Sequence, residues 1–323
     1  MLKIGSAQAE KGKLVKGYIE MGSLADGPVR MPVMIASGEQ DGEVLWLEGC
    51  IHGGEFGGAL SIAQFMRELD LKALKGTIVG VPVVNILSFR NLSRNTPLDG
   101  MNINRIFPGD PDGVYTMQLA ANYMELICGN ANYFADFHSG GFTSHCLFYA
   151  GYKNDHSKES EVERKMCESI GSDIIWDHFD TMQEFGGIIA SQVAERGIPA
   201  ITCECGGGQV LDSDIAKYKG AMTGIAQVLG FLPGEAAKKS SYTHIGNCFC
   251  PVTHAGGFFM AKCKDGDILN EGDVIAEIMN LFGEIVEVIR CPENNILVEC
   301  LYQKNCPISS GEGIGEFLHI YEK

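Results

Sequence analysis

His52 and Glu55 stand three residues apart in the stretch Glu48-Gly-Cys-Ile-His-Gly-Gly-Glu-Phe-Gly-Gly58. Imidazole nitrogen and carboxylate oxygen are both good ligands for a divalent metal. Glycines at 49, 53, 54, 57 and 58 let the backbone turn sharply and let a ligand come close. Alone, the stretch fits a tight strand-to-helix turn as well as half of a metal site. Three further groups weigh on the choice. His138 lies in Asp136-Phe-His-Ser-Gly-Gly141, Glu204 lies in Cys203-Glu-Cys-Gly-Gly-Gly208, and an Arg/Asn-rich stretch holds Arg94, Asn104 and Arg105. Two imidazoles and one carboxylate form the ligand set of many catalytic zinc sites, with a fourth position left for water. The His-Glu-x-x-His pattern is absent, so a general base must come from elsewhere, and Glu204 is the obvious candidate. Of two guanidinium groups, one could stabilise a developing oxyanion and the other could pair with a substrate carboxylate. For Arg105 a surface salt bridge is the plain alternative.

These groups need elements that bring them together. Glu43–Glu48 is a short apolar run that reads as a buried strand, and Ala59 to Asp70 reads as the helix after the turn. Gly76 to Asn85 suits a central strand that Pro82 obliges to end or shift its pairing. Strand, helix, strand is a βαβ unit and implies a parallel sheet. Residues 86 to 113 carry no periodicity and many polar groups, as functional loops do. Helices are expected over Tyr115–Cys128, 157–171, Gly187–Arg196 and Asp212–Gly230, with strands at Tyr133–His138 and Gly197–Glu204. Parallel strands point their C-terminal ends one way, so His52, Glu55, His138 and Glu204 could converge there. Residues 1 to 42 read as short strands and turns, Met31–Ala36 among them.

Beyond Phe231-Leu-Pro-Gly234 the composition changes. From His244 onward short strands recur with Gly-Asp and Gly-Glu turns, an all-β signature. Glu271–Ile278 and Ser310–Phe317 align 39 residues apart, which suggests a small barrel of two related halves. The expected fold is therefore α/β, a mixed and largely parallel sheet flanked by helices, with residues 1–240 as a catalytic domain and 241–323 as a smaller all-β domain.

The chain has 323 residues, 45% hydrophobic, a globular composition with ample core. A net charge of −16 argues against nucleic acid or an anionic membrane surface as partner. No stretch approaches the roughly 20 apolar residues of a membrane span, and no apolar signal core opens the chain. A cytoplasmic location with reduced thiols is expected. The 12 cysteines are scattered. Cys203/Cys205 and Cys248/Cys250 are Cys-x-Cys pairs, whereas zinc sites more usually show Cys-x-x-Cys, so small buried apolar residues are the preferred reading.

The motifs Gly49-Cys-Ile-His52-Gly-Gly-Glu55, Arg94-Asn-Thr-Pro-Leu-Asp-Gly-Met-Asn-Ile-Asn104-Arg105-Ile-Phe-Pro-Gly109, Asp136-Phe-His138-Ser-Gly-Gly and Gly197-Ile-Pro-Ala-Ile-Thr-Cys-Glu204-Cys-Gly-Gly occur in this order. With them the sequence resembles the succinylglutamate desuccinylase/aspartoacylase family, relatives of zinc carboxypeptidases. The resemblance implies one Zn2+ held by His52, Glu55 and His138, with Glu204 as general acid/base. It implies Arg94 polarising the scissile carbonyl, with Arg90 as the fallback should the loop shift register, and Asn104 with Arg105 gripping a substrate carboxylate. Asn102 departs from the Asp that the family often carries there, which bears on how Arg105 is held. The C-terminal part looks like a biotinyl/lipoyl-type barrel, but Ile278-Met-Asn-Leu-Phe-Gly283 has no Lys, which argues against a carrier role. There the C-terminal part would shape the site entrance or mediate subunit contacts, and a homo-oligomer is possible.

The expected activity is hydrolysis of the amide bond of a small N-acylated amino acid or related amine. A carboxypeptidase acting on peptides would use the same site with a different pocket, and a non-catalytic metal-binding protein would keep the fold alone. His145 is read as a loop histidine or a neighbour of the site, and Tyr149 and Tyr152 as packing residues, with reach to a substrate as the alternative. His178, His244 and His254 receive no role.

Overall fold

The computed structural model describes residues 2–177 and 186–321; His178 lies outside them. The chain opens with two short strands, β1 (Lys3–Ile4) and β2 (Ala7–Gln8), and then a long hairpin, β3 (Lys13–Leu24) and β4 (Gly27–Ser37). The hairpin corrects the expectation of short strands, since β3 has 12 residues and β4 has 11. β5 (Gln40–Gly49) leads into α1 (Phe56–Glu68), and β6 (Lys75–Val81) ends where Pro82 begins to deny the ladder a donor. A short helix α2 (Ile86–Asn91), a single 3₁₀ turn at Ile103–Arg105 and α3 (Tyr115–Cys128) follow. The long polar stretch is thus ordered by two short helical pieces that its sequence did not announce.

Then come β7 (Tyr133–His138), β8 (Ser144–Tyr152), α4 (Lys158–Ser169), β9 (Ile174–Asp177), α5 (Ile189–Ala194), β10 (Ala200–Gly206) and α6 (Asp212–Val228). The C-terminal part contributes β11 (Thr243–Phe249), β12 (Gly257–Ala261), β13 (Ile268–Leu269), β14 (Val274–Met279), β15 (Ile285–Arg290), β16 (Ile296–Tyr302), β17 (Pro307–Ile308) and β18 (Gly315–Tyr321).

One twelve-stranded sheet runs β13-β16-β18-β11-β9-β8-β10-β7-β5-β6-β4-β3. Its centre, β10-β7-β5-β6, is parallel, as the βαβ pattern implies. The helices cover both faces. Ile62, Phe65 and Met66 of α1 share a core with Met166 of α4 and Tyr218, Met222 and Ile225 of α6. Leu119, Tyr123 and Met124 of α3 share the other core with Ile189 and Val193 of α5. β16 also pairs with β8, so β8, β9, β11, β18 and β16 close into a ring. A second sheet, β15-β14-β12-β17, packs on the C-terminal strands through Phe259, Ile278, Val298 and Phe317. Among the described residues no helix is long and apolar enough to cross a membrane.

His145 does not reach the central strands' C-terminal ends. Its Nδ1 lies 3.0 Å from Asp265 Oδ2, a contact that ties β8 to the C-terminal part. This hydrogen bond raises the His145 pKa and lowers that of Asp265. The histidine's contribution is full below its unfolded value of about 6.5 and lost as pH rises through the raised folded value. The aspartate's is full above about 3.9 and lost as pH falls through its depressed value. Both side chains are partly exposed, so the pair contributes under about 1 kcal/mol. Asp265→Asn is expected to lower the melting temperature more at about pH 5.5 than at about pH 8.5; equal losses at both would remove the ion pair from the account.

Candidate active site and metal centre

Strand register sets the site. Glu48 of β5 pairs with Asp136 of β7, and His138 at the end of β7 pairs with Glu204 of β10. The chain leaving β5 turns at Cys50, whose φ of 52° is unusual for a non-glycine residue, and then delivers His52 and Glu55 just before α1. Helix and strand approach closely here: a Cβ on Gly58 would lie 2.7 Å from the Phe137 carbonyl oxygen. Only a glycine lets α1 sit this close beside His138.

Glu55 bridges the two imidazoles. His52 Nδ1 lies 2.8 Å from Glu55 Oε1, and His138 Nδ1 lies 2.8 Å from Glu55 Oε2. Ser139 N–H also donates to Oε2 at 3.3 Å, and Arg94 Nη1 donates to Oε1 at 3.2 Å. The outer ring nitrogens are engaged too. His138 Nε2 lies 2.6 Å from Asp136 Oδ2, and His52 Nε2 lies 3.0 Å from Asn102 Oδ1. All three bridging residues are buried, with ligand atoms within 4.8 Å of one another.

The electrostatics follow from burial and neighbours. Burial opposes ionisation of Glu55, but His52 and His138 hold its carboxyl well below the usual range. Burial and the Arg94 charge push His52 down to about 4, against the pull of Glu55. Burial also opposes charge on His138, yet Asp136 and Glu55 hold its pKa well above the ordinary value. The donor set fits a metal: both Nδ1 atoms converge on one carboxylate, while each Nε2 faces an oxygen acceptor that orients the ring. Metal-ligating histidines are commonly oriented by such outer acceptors.

A cavity of about 360 Å³ opens onto this group, and its lining includes Arg94, Asn104, Arg105 and Glu204. Glu204 is half-buried and its Oε2 is shielded without a hydrogen-bond partner. Burial, with Glu55 and Glu316 adding to it, pushes its carboxyl well above the usual range. Arg94 is brought to Glu55, whereas Arg90 on α2 is exposed and outside the cavity lining. Asn104 is buried with its amide already engaged. Its Oδ1 accepts from Ile189 N–H at 2.9 Å and its Nδ2 lies 3.2 Å from His138 Nε2. Its carbonyl accepts from Arg105 Nη1 at 2.7 Å.

Several neighbours escaped the sequence reading. Asn102 orients His52 and caps the 3₁₀ turn through Asn104 N–H at 3.0 Å, so the departure at this position touches a histidine rather than Arg105. Asp136 was legible in principle, because positions i and i+2 of a strand share a face. Tyr149 is buried and lines the cavity, while Tyr152 is buried outside it. Cys146, Cys250, Cys300, Gly313, Gly315 and Glu316 complete one wall. No local pattern could have found them, because the ring that brings β16 and β18 to β8 is a long-range closure. His244 pairs with Asp177 at 2.8 Å, and His254 engages Glu287 through its backbone N–H. Both lie away from the cavity lining.

Residues 41–231 match the description Succinylglutamate desuccinylase/Aspartoacylase catalytic domain. An N-alpha-acetyl-L-2,4-diaminobutyric acid deacetylase from Halomonas elongata is 24% identical over 262 residues, which cover 79% of this chain and 75% of that protein. A succinylglutamate desuccinylase from a Silicibacter species has a TM-score of 0.84 at 22% identity, covering 99% of this chain and 100% of that one. The product-bound ectoine utilization protein EutE (DoeB) from Ruegeria pomeroyi has a TM-score of 0.84 at 23% identity, over 95% of each chain. These two structural likenesses bear on the fold.

The Asp136–His138 contact yields a direct test. Asp136→Asn is expected to weaken metal binding by about 10–100-fold, measured by competition with a chromophoric chelator. Unchanged affinity would mean that the carboxylate does not orient His138 for a metal.

Proposed function

Because the chain belongs to the succinylglutamate desuccinylase/aspartoacylase family, we propose that it is a zinc-dependent hydrolase that cleaves the amide bond of a small N-acylated amino acid or related amine. One observation carries this reading: Glu55 joins His52 and His138 beside a cavity that also receives the partnerless Oε2 of Glu204. The Halomonas relative, named as a deacetylase of an N-acetylated amino acid, supports the substrate class.

His52, Glu55 and His138 would hold the Zn2+, which when bound supplies a Lewis acid and lowers the pKa of water toward neutrality. Glu204 takes a proton from a water molecule in the cavity and returns it to the departing amine. Its raised pKa brings the carboxyl nearer the working pH, where transfer in both directions is efficient. Arg94 stands beside Glu55 at the cavity wall and polarises the scissile carbonyl, stabilising the oxyanion as charge develops. Arg105 pairs with a substrate carboxylate. Asn104 acts behind Arg105: its side-chain oxygen accepts from Ile189 N–H and its backbone carbonyl accepts from the Arg105 guanidinium, which it fixes. Cys250, Cys300, Gly313, Gly315 and Glu316 of the C-terminal part line one side of the cavity and would limit it to small substrates.

Chelation is expected to abolish hydrolysis of N-acyl amino acids, and added Zn2+ is expected to restore it. Glu204→Gln, with metal retained, is expected to lower kcat by about 10²–10⁴-fold; near-wild-type activity would remove Glu204 from the proton transfer. Arg105→Ala is expected to raise KM for acyl amino acids while leaving amides without a carboxylate little changed. A substrate panel containing peptides completes the test, because efficient peptide cleavage would replace the deacylase reading with a carboxypeptidase.

A further inference from the structure

Cys146 on β8 and Cys300 on β16 are register partners across the pairing that closes the ring, and their Sγ atoms are 2.9 Å apart. Glu299 is fully buried, and neither of its carboxylate oxygens has a hydrogen-bond partner. A carboxylate oxygen of Glu299 and the two sulfurs lie within 4.8 Å of one another. Successive side chains of a regular strand point to opposite faces. Here the β16–β18 ladder shifts register between Val298 and Cys300, at Glu299 itself. The irregularity re-aims the side chain, so that Glu299 and Cys300 can share one site.

A buried, ionised carboxylate without a partner is costly, and a single proton would leave the second oxygen unsatisfied. The surroundings add like charge: Glu204, Glu316 and Cys250 all raise the Glu299 pKa, after burial and Cys300. Arg94 is a cation whose charge is felt at Cys300, and it is already bound to Glu55. Thiol pairs do not recognise ammonium groups well, but thiolates are preferred ligands of soft divalent metals.

We propose that Cys146, Cys300 and Glu299 form a second metal site, of the thiolate-preferring class represented by Zn2+, separate from the His52–Glu55–His138 group. Two thiolates and one carboxylate supply three ligands of a tetrahedral site. Cys146 and Cys300 line the cavity, so a water or a substrate atom can complete the fourth position. A metal here satisfies Glu299 and fastens β8 to β16, and its charge offsets most of the charge of the two thiolates and the carboxylate that bind it. The proposal stands independently of the catalytic reading.

Cobalt distinguishes the two sites, because only the second has thiolate ligands. The reduced full-length protein loaded with Co2+ is expected to bind two equivalents and to show a thiolate-to-cobalt charge-transfer band in the near ultraviolet. Cys300→Ser is expected to lose the band and one equivalent, whereas His52→Ala keeps the band. Glu299→Gln keeps both thiols and the side-chain shape, and is expected to weaken cobalt binding at the thiolate site at least about tenfold. It carries the test if circular dichroism shows that Cys300→Ser does not fold. A single bound equivalent without the band would overturn this proposal and leave the His/Glu/His reading intact. A band that survives in folded Cys300→Ser, unchanged affinity in Glu299→Gln, or two fewer titratable thiols than the 12 in the sequence, revealing a Cys146–Cys300 disulfide, would also overturn it.

Discussion

A buried carboxylate must be paired, and in this protein the pairing of Glu55 by two imidazoles fixes where several elements go. His52 comes from the same turn, but His138 ends a strand 83 residues further on. The pairing therefore requires α1 to press against β7. The glycines of the turn are the steric consequence. A Cβ at Gly53 would lie 2.0 Å from the Ser88 carbonyl carbon, and one at Gly58 would collide with Phe137. Their role is to let two backbones approach, a requirement distinct from the flexibility usually credited to glycine.

The same constraint passes outward. Each histidine is oriented by the oxygen on its far nitrogen, Asp136 for His138 and Asn102 for His52. Asn102 also caps the 3₁₀ turn that carries Asn104 and Arg105. Asn104 in turn receives the backbone N–H of Ile189, the first residue of α5. Gly187 packs against the Arg105 carbonyl so tightly that a Cβ would lie 2.0 Å from its oxygen. The polar loop after α2 is therefore ordered by the site it serves, which explains why its sequence shows neither helical nor strand periodicity.

This hierarchy also explains what could be read from the chain beforehand. The parallel centre was legible because apolar runs such as Glu43–Glu48 and Tyr133–His138 alternate with helical segments, and because Pro82 marks the end of β6. His52, Glu55, His138 and Glu204 were legible because each sits beside glycines at the end of a strand or in the turn after it. Their partners were harder to assign. Asn104, which the family resemblance makes a substrate contact, lines the cavity, and its side-chain oxygen also accepts from Ile189 N–H, a tie that no local pattern announces. The long β3–β4 hairpin was obscured by its mixed polarity. Lys16, Tyr18 and Glu20 face out while Ile19 and Met21 face in, but Gly17 and Gly22 interrupt the run and the first half of β3 is only partly buried.

The far wall of the cavity was beyond local reading for a different reason. Three ladders lose regular register around it: β10–β8 between Glu204 and Gly206, β16–β18 between Val298 and Cys300, and β11–β18 between Gly246 and Phe249. A regular strand offers one face to an interior and the other to its surroundings. Irregularities are the means by which a closed set of strands turns consecutive polar side chains inward. Their effect here is to gather Glu204, Glu299 and Glu316 with Cys146 and Cys300 near one another. Such a concentration of acids and thiols opposes folding unless cations or protons accompany it. The wall that completes the cavity is therefore an electrostatic feature as well as a packed one, and the protons or metal that its acids and thiols take up would set the charge felt at Glu204.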